Sequence, residues 1–257
     1  MIQFDNVTRT YGRRVAVDGL TLSVEPGELF ALLGPNGAGK TTTIKMLVGL
    51  LRPDSGTVAV CGCDIARRTR QAAQMIGYIP DQPFLYDKLT GREFLVFVGG
   101  MRGLDNTAVA DRIARESEHF HLADFLDDLT ETYSHGMKQR LVFASACMHD
   151  PAVLVIDEPM VGLDPRSVRL VKDLLRRRAA AGAIVFMSTH TLAVAEEIAD
   201  RIGIMDRGRV HFHGTVAQLQ RKLASHHDAL EPLFLELTGQ GNGRPLDETP
   251  RADNARH

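Results

Sequence analysis

The sequence predicts an α/β fold: a mixed, largely parallel sheet with an N-terminal antiparallel β part and an inserted helical subdomain. Three observations predict it. A glycine-rich loop, Gly34-Pro35-Asn36-Gly37-Ala38-Gly39-Lys40-Thr41, joins the apolar run Leu29-Phe30-Ala31-Leu32-Leu33 to the helical stretch Thr42-Thr43-Ile44-Lys45-Met46-Leu47. The run Val153-Leu154-Val155-Ile156 is continuously apolar, as a strand buried on both faces of a parallel sheet is, and Ile184-Val185-Phe186-Met187 reads as a further strand. Between residues 83 and 150 the strand signals give way to helical ones.

Taken in order, residues 1–30 alternate and predict strands at 2–4, 15–17 and 20–24, with a Pro26-Gly27 turn before the loop strand. The glycine loop fits the phosphate-binding pattern G-x-x-x-x-G-K-[ST]. Glycines let backbone N–H groups curl around an anion, and the following helix N-terminus adds partial positive charge. In that pattern Lys40 reaches the β- and γ-phosphates and the Thr41 hydroxyl sits on Mg²⁺, with Thr42 next to it. A breaker cluster at Arg52-Pro53-Asp54-Ser55-Gly56 precedes a strand at 57–60, and Ile76-Gly77-Tyr78-Ile79 is a short strand closed by Pro80. Thr90-Gly91-Arg92-Glu93 has the spacing of a capping box ahead of an apolar helix, and residues 104–127 read as further surface helices. Asp164-Pro165 supplies an N-cap and a first-position proline for a helix running to Gly182. Residues 201–205 and 209–212 form a hairpin around Asp206-Arg207-Gly208. Leu230, Leu233, Phe234 and Leu237 share one helical face, and residues 240–257 read as a disordered tail.

Ligands of such sheets gather beyond the carboxyl ends of the strands. The glycine loop after Leu33, Asp157 after Ile156 and His190 after the 184–187 run all lie at such ends. A carboxylate ending a buried strand is costly without a partner, so Asp157 is expected to face Mg²⁺, directly or through water. Glu158 is then the candidate to act on the attacking water, as general base or as its positioning group.

Composition narrows the class. The chain has 257 residues, 44% hydrophobic and 24% charged, which is ordinary for a globular protein. A net charge of -2 gives no basic field for nucleic acid, and Arg176-Arg177-Arg178 reads as a solvated helix face. No apolar run reaches the length of a membrane span, and the start Met1-Ile2-Gln3-Phe4-Asp5 lacks a signal-peptide pattern, which predicts a cytoplasmic location. Cys61, Cys63 and Cys147 are expected to be reduced and structural.

Together the motifs resemble the nucleotide-binding subunit of an ATP-binding cassette (ABC) transporter, over residues 1–239. Residues 153–159 match that family's second nucleotide motif, Gly162-Leu163-Asp164-Pro165 its D-loop, and Ser188-Thr189-His190 its switch-histidine segment. Tyr133-Ser134-His135-Gly136-Met137-Lys138-Gln139-Arg140 matches its signature, with Tyr133, His135 and Met137 replacing the more usual Leu, Gly and Gln. The resemblance implies a P-loop NTPase core that hydrolyses ATP with Mg²⁺. It also implies that Tyr11 stacks on adenine and His190 contacts the γ-phosphate. Ser134 and Gly136 would bind the γ-phosphate held by the opposite subunit's loop. His135 stays open between a polar helix-start residue and a share in the site. Asp81 stands where the family usually has Gln, with Gln82 after it, and either side chain could reach Mg²⁺ or the attacking water. By the same resemblance Pro83-Phe84-Leu85-Tyr86 faces a membrane partner; read from the residues alone it equally suits packing under the helical insertion.

For the whole protein the resemblance implies a homodimer of cassettes that closes on ATP and powers a separate transmembrane permease. It would sit peripherally on the cytoplasmic side of the membrane, with no nucleic-acid partner. The 230–239 stretch resembles bacterial drug and antibiotic exporter subunits, which favours export. The competing class is a soluble cassette ATPase acting on DNA or ribosomes. It usually carries long coiled coils or two cassettes in one chain, and this sequence shows neither pattern.

Overall fold

Two hydrophobic cores pack on opposite faces of one central sheet. The computed structural model describes residues 1–225. Its six-stranded sheet has the order β10-β9-β3-β8-β7-β6. The strands are β3 (Leu29–Leu33), β6 (Ile76–Ile79), β7 (Val153–Asp157), β8 (Ile184–Thr189), β9 (Arg201–Asp206) and β10 (Arg209–Gly214). Every neighbouring pair runs parallel except β9 and β10, the expected hairpin. Leu29, Ala31, Leu33, Leu154, Ile156, Val185 and Met187 point to one core, and Phe30, Leu32, Val153, Val155, Ile184 and Phe186 to the other. Both faces are therefore dry, which is why these strands read as unbroken apolar runs. Phe30 and Phe186 stack with ring centroids 5.5 Å apart.

The second core is closed by α1 (Lys40–Leu47) and a four-stranded antiparallel sheet of order β2-β1-β4-β5. Its strands are β1 (Ile2–Tyr11), β2 (Arg14–Val24), β4 (Ser55–Val60) and β5 (Cys63–Asp64). The first two are longer than the sequence predicts. Register shifts between Phe4 and Val7, and again before Arg9 and Thr10, erase the alternation that marks a strand.

The first core carries the helices α3 (Gly91–Met101), α4 (Asn106–Phe120), α5 (His135–Cys147), α6 (Pro165–Ala180) and α7 (Leu192–Ile198). The remaining described helices are α2 (Thr69–Met75), α8 (Val216–Ser225) and a 3-10 turn at Thr130–Thr132. The capping box forms as expected: Glu93 N–H donates to Thr90 Oγ1 at 3.1 Å and Thr90 N–H to Glu93 Oε2 at 2.8 Å. Asp164 caps α6 by accepting from the Arg166 and Ser167 N–H groups at 2.9 and 3.1 Å. Within 104–127 there is one helix, α4, which stops where His121 turns left-handed at φ 51°. The amphipathic face at 230–237 and the 240–257 tail lie outside the described residues.

One expectation is overturned. Arg178 is no solvated face residue: it is partly buried, 3.2 Å from Asp150 and 3.7 Å from the fully buried Glu116. Arg112 and Arg115 converge on the same Asp150 carboxylate, and Arg115 lies 2.6 Å from Glu116. Partial burial by itself would raise the Asp150 carboxyl; hydrogen bonds from Arg115, Arg178 and Arg112 outweigh it and bring the group down to about 2. Three arginines on two elements thus tie α4 and α6 to the loop that enters β7. Arg176 meanwhile donates to the Glu197 carbonyl in the last turn of α7. A run of like charges in sequence is split here among separate partners in space.

Candidate functional site

The strand order places four carboxyl ends side by side, those of β3, β8, β7 and β6. They deliver the glycine loop, His190, Asp157 with Glu158, and Asp81 to one edge of the sheet. Short apolar strands buried on both faces fix these ends rigidly, and the polar residues that follow have nowhere to go but the common edge.

The loop needs its glycines for close approach. A side chain on Gly39, whose φ is 113°, would run into the Ala16 carbonyl, and one on Gly34 into the Met205 carbonyl. The loop wraps so tightly that Lys40, only 6% exposed, turns back over it. Its Nζ donates to the Gly34 and Pro35 carbonyls at 2.6 and 3.2 Å and lies 3.5 Å from Glu158 Oε1.

Glu158 itself sits in the left-handed region at φ 52°, uncommon for a residue with a side chain and costing on the order of 1–3 kcal/mol. Ser188 helps to hold it there. The Ser188 hydroxyl accepts from Glu158 N–H at 3.1 Å and donates to Asp157 Oδ1 at 2.5 Å. Glu158 Oε2 is 3.0 Å from His190 Nδ1. The carboxylate therefore stands between a buried ammonium and an exposed imidazole.

Lys40, Asp157 and Glu158 border a cleft of about 470 Å³ whose lining also includes Tyr11, Arg14, the rest of loop residues 35–42 and Asp81; Ser188 and His190 stand behind Asp157 and Glu158, outside that lining. Tyr11 is half-exposed at its rim, with the Arg9 guanidinium 5.3 Å from its ring centre. Of the two residues after Pro80, Asp81 lines the cleft; Gln82 is exposed and outside the lining. Desolvation, then the charges of Asp157 and Glu158, push the Asp81 carboxyl above its ordinary range, with His135 and His190 pulling the other way.

The donor set suits a hard divalent cation. Asp157 is 2% exposed, and the Thr41 hydroxyl and Asp81 border the same cleft, all of them oxygen donors. Among the described residues no group of three or more His, Cys, Asp or Glu side chains is arranged to hold a metal unaided. Mg²⁺, which takes one or two carboxylates plus substrate phosphates, fits such a site.

The signature segment stands apart from this cleft. Ser134 caps α5, its Oγ accepting from Met137 N–H at 3.3 Å, and Gly136 faces open space. Tyr133 is buried. Its hydroxyl donates to the Phe125 carbonyl at 2.5 Å, and burial lifts it to about 12. That contact gives the replacement of an apolar residue by tyrosine a structural purpose.

Sequence reasoning missed Arg14, Ala16 and the role of Ser188. Arg14 lies in the cleft and donates to the Gly37 carbonyl at 3.1 Å. Its position three residues after Tyr11, across the Gly12 turn, was the available signal. Ser188 belongs to the matched Ser188-Thr189-His190 segment, but its bridging role appears only once β7 and β8 pair Asp157 with Ser188.

Residues 17–161 match the family model described as ABC transporter. The chain belongs to the ABC transporter family. It is an ATP-hydrolysing, nucleotide-binding cassette of that family. No helix among the described residues is long and apolar enough to cross a membrane. Similar proteins include the linearmycin resistance ATP-binding protein LnrL of Bacillus subtilis, 40% identical over 87% of this chain and 72% of that protein. The daunorubicin/doxorubicin resistance ATP-binding protein DrrA of Streptomyces peucetius is also 40% identical, over 89% of this chain and 71% of its own length. Among solved structures, an ATP-binding subunit of an ABC transporter superposes with a TM-score of 0.84 at 32% identity, covering 92% of this chain and 99% of that one. A dimeric ATP-binding cassette in a post-hydrolysis state, bound to ADP and Pi, gives 0.74 at 25% identity, covering 84% and 99%.

Proposed function

We propose that the chain is the ATPase subunit of a membrane exporter, and that two copies close around ATP to drive a separate permease. One observation carries the reading. The cleft gathers Lys40, Asp157, Glu158 and Asp81 in one chain, while Ser134 and Gly136, the signature segment's phosphate-contact candidates, stand outside it. A second copy supplies them. The ABC relatives named for drug resistance, and the similar dimeric cassette, support the same arrangement.

In this scheme the triphosphate lies along loop residues 34–42 with adenine against Tyr11. Lys40 leaves its carbonyl partners for the β- and γ-phosphates. Thr41, Asp157 and Asp81 would hold Mg²⁺, which when bound would neutralise phosphate charge. Glu158, freed from Lys40, orients the attacking water and draws its proton, and His190 steadies both Glu158 and the terminal phosphate. Closure follows because the γ-phosphate favours the state in which the partner's signature also reaches it; hydrolysis removes that preference.

The surface that would pass the motion on is exposed and apolar. Leu85 is buried, whereas Phe84, Tyr86, Phe97 and Met101 are exposed at 75, 48, 44 and 72%. Phe84 and Phe97 lie edge-on to Tyr86 at 5.8 and 5.6 Å. A contiguous aromatic patch of this kind marks a protein partner. It supports a permease on this side and, with it, a peripheral position at the cytoplasmic face of the membrane, and it does not resemble a nucleic-acid footprint. The competing class, a soluble cassette ATPase acting on nucleic acid or ribosomes, would instead show turnover stimulated by DNA or ribosomes.

Specific ATPase activity measured across a dilution series tests the shared site. Activity per chain is expected to fall as the protein is diluted, with sigmoidal dependence on ATP. Activity strictly proportional to protein at every dilution contradicts it.

A further inference from the structure

We propose that His135, seated on Gly162, is a positioning residue that ties the N-terminus of α5 to the turn carrying Glu158 within one chain. A methyl group built on Gly162 would stand 2.9 Å from both Cδ2 and Nε2 of His135. The glycine, itself left-handed at φ 73°, leaves the room that the imidazole fills. The turn it belongs to is short and held at both ends. It starts at Glu158 in a left-handed backbone and closes with Val161 N–H donating to the Glu158 carbonyl at 3.3 Å. Leu163 N–H donates to the Met160 carbonyl at 3.5 Å, and Asp164 then anchors the far end to α6. A displacement at Gly162 has little slack to spread into before it reaches Glu158. The imidazole thus gives a use to a signature position where glycine is more common, and glycine at 135 would leave the turn unsupported.

The inference rests on Glu158 being the hydrolytic residue. Its test is a double-mutant cycle of His135→Ala and Gly162→Ala in the full chain, reading kcat and KM for ATP separately, with thermal unfolding followed alongside. His135→Ala is expected to lower kcat about three- to tenfold and leave KM within about twofold, because the phosphate loop is untouched. His135→Phe, which keeps a flat ring over Gly162, is expected to recover most of that loss. Gly162→Ala is expected to lower kcat about tenfold or more in the native background and clearly less in the His135→Ala background, where only the left-handed backbone still opposes it. Additive losses, or a KM that moves with kcat, would overturn the proposal. Should Gly162→Ala fail to fold, the His135→Ala and His135→Phe pair decides alone. Glu158→Gln separates the two levels of the reading. If it turns over normally, the Glu158 assignment falls and takes this proposal with it; if it is inactive while the cycle is additive, only His135 loses its role.

Discussion

Glu158→Gln is expected to bind ATP at least as well as the native chain and to hydrolyse it about 10²- to 10⁴-fold more slowly. The amide keeps the shape of the carboxylate and can still meet His190 Nδ1, which lies 3.0 Å from Oε2 in the native chain. It loses the negative charge that withdraws a proton from water. It also loses the ion pair with Lys40 at 3.5 Å. In the native chain that pair competes with phosphate for the ammonium, so its removal favours the nucleotide. Equilibrium titration with ATP and a single-turnover assay separate the two effects. Turnover near the native rate would remove Glu158 from proton transfer and leave His190, beside Glu158, and Asp81, in the cleft lining, as the imidazole and carboxylate candidates.

Lys40→Ala is expected to fail one step earlier, at binding. The ammonium is buried beside loop carbonyls that a phosphate would replace as acceptors, and charge-assisted hydrogen bonds of this kind contribute about 1.5–3 kcal/mol each. The affinity for ATP should therefore drop roughly 10- to 100-fold. Calorimetric titration reads this directly, and an unchanged dissociation constant would show that the anion is held elsewhere. The two substitutions together distinguish a group that grips the nucleotide from one that acts on it.

Both predictions rest on features legible in the amino-acid sequence. Continuous apolar runs ending in Gly34, Asp157 and Ser188 located three strand ends, and their convergence follows from the parallel sheet alone. The caps at Thr90 and Asp164 were equally readable, because a cap is a local pattern of side chain and backbone. What the sequence hid is long-range or irregular. The shifted registers of β1 broke the alternation, and the arginines on Asp150 were unreadable because their partners are 28 to 38 residues away. Arg14 and Ser188 were missed for the same reason: each acts on a residue brought to it by tertiary pairing. The contact of His135 with Gly162 links positions that no periodicity connects.

The central claim is that one triphosphate is gripped by two chains. A structure of Glu158→Gln with ATP and Mg²⁺ tests it most directly. The expected result is a γ-phosphate within hydrogen-bond distance of Lys40 from one chain and of Ser134 from its partner. A triphosphate lying away from Lys40, or one contacted by a single chain throughout, would contradict it.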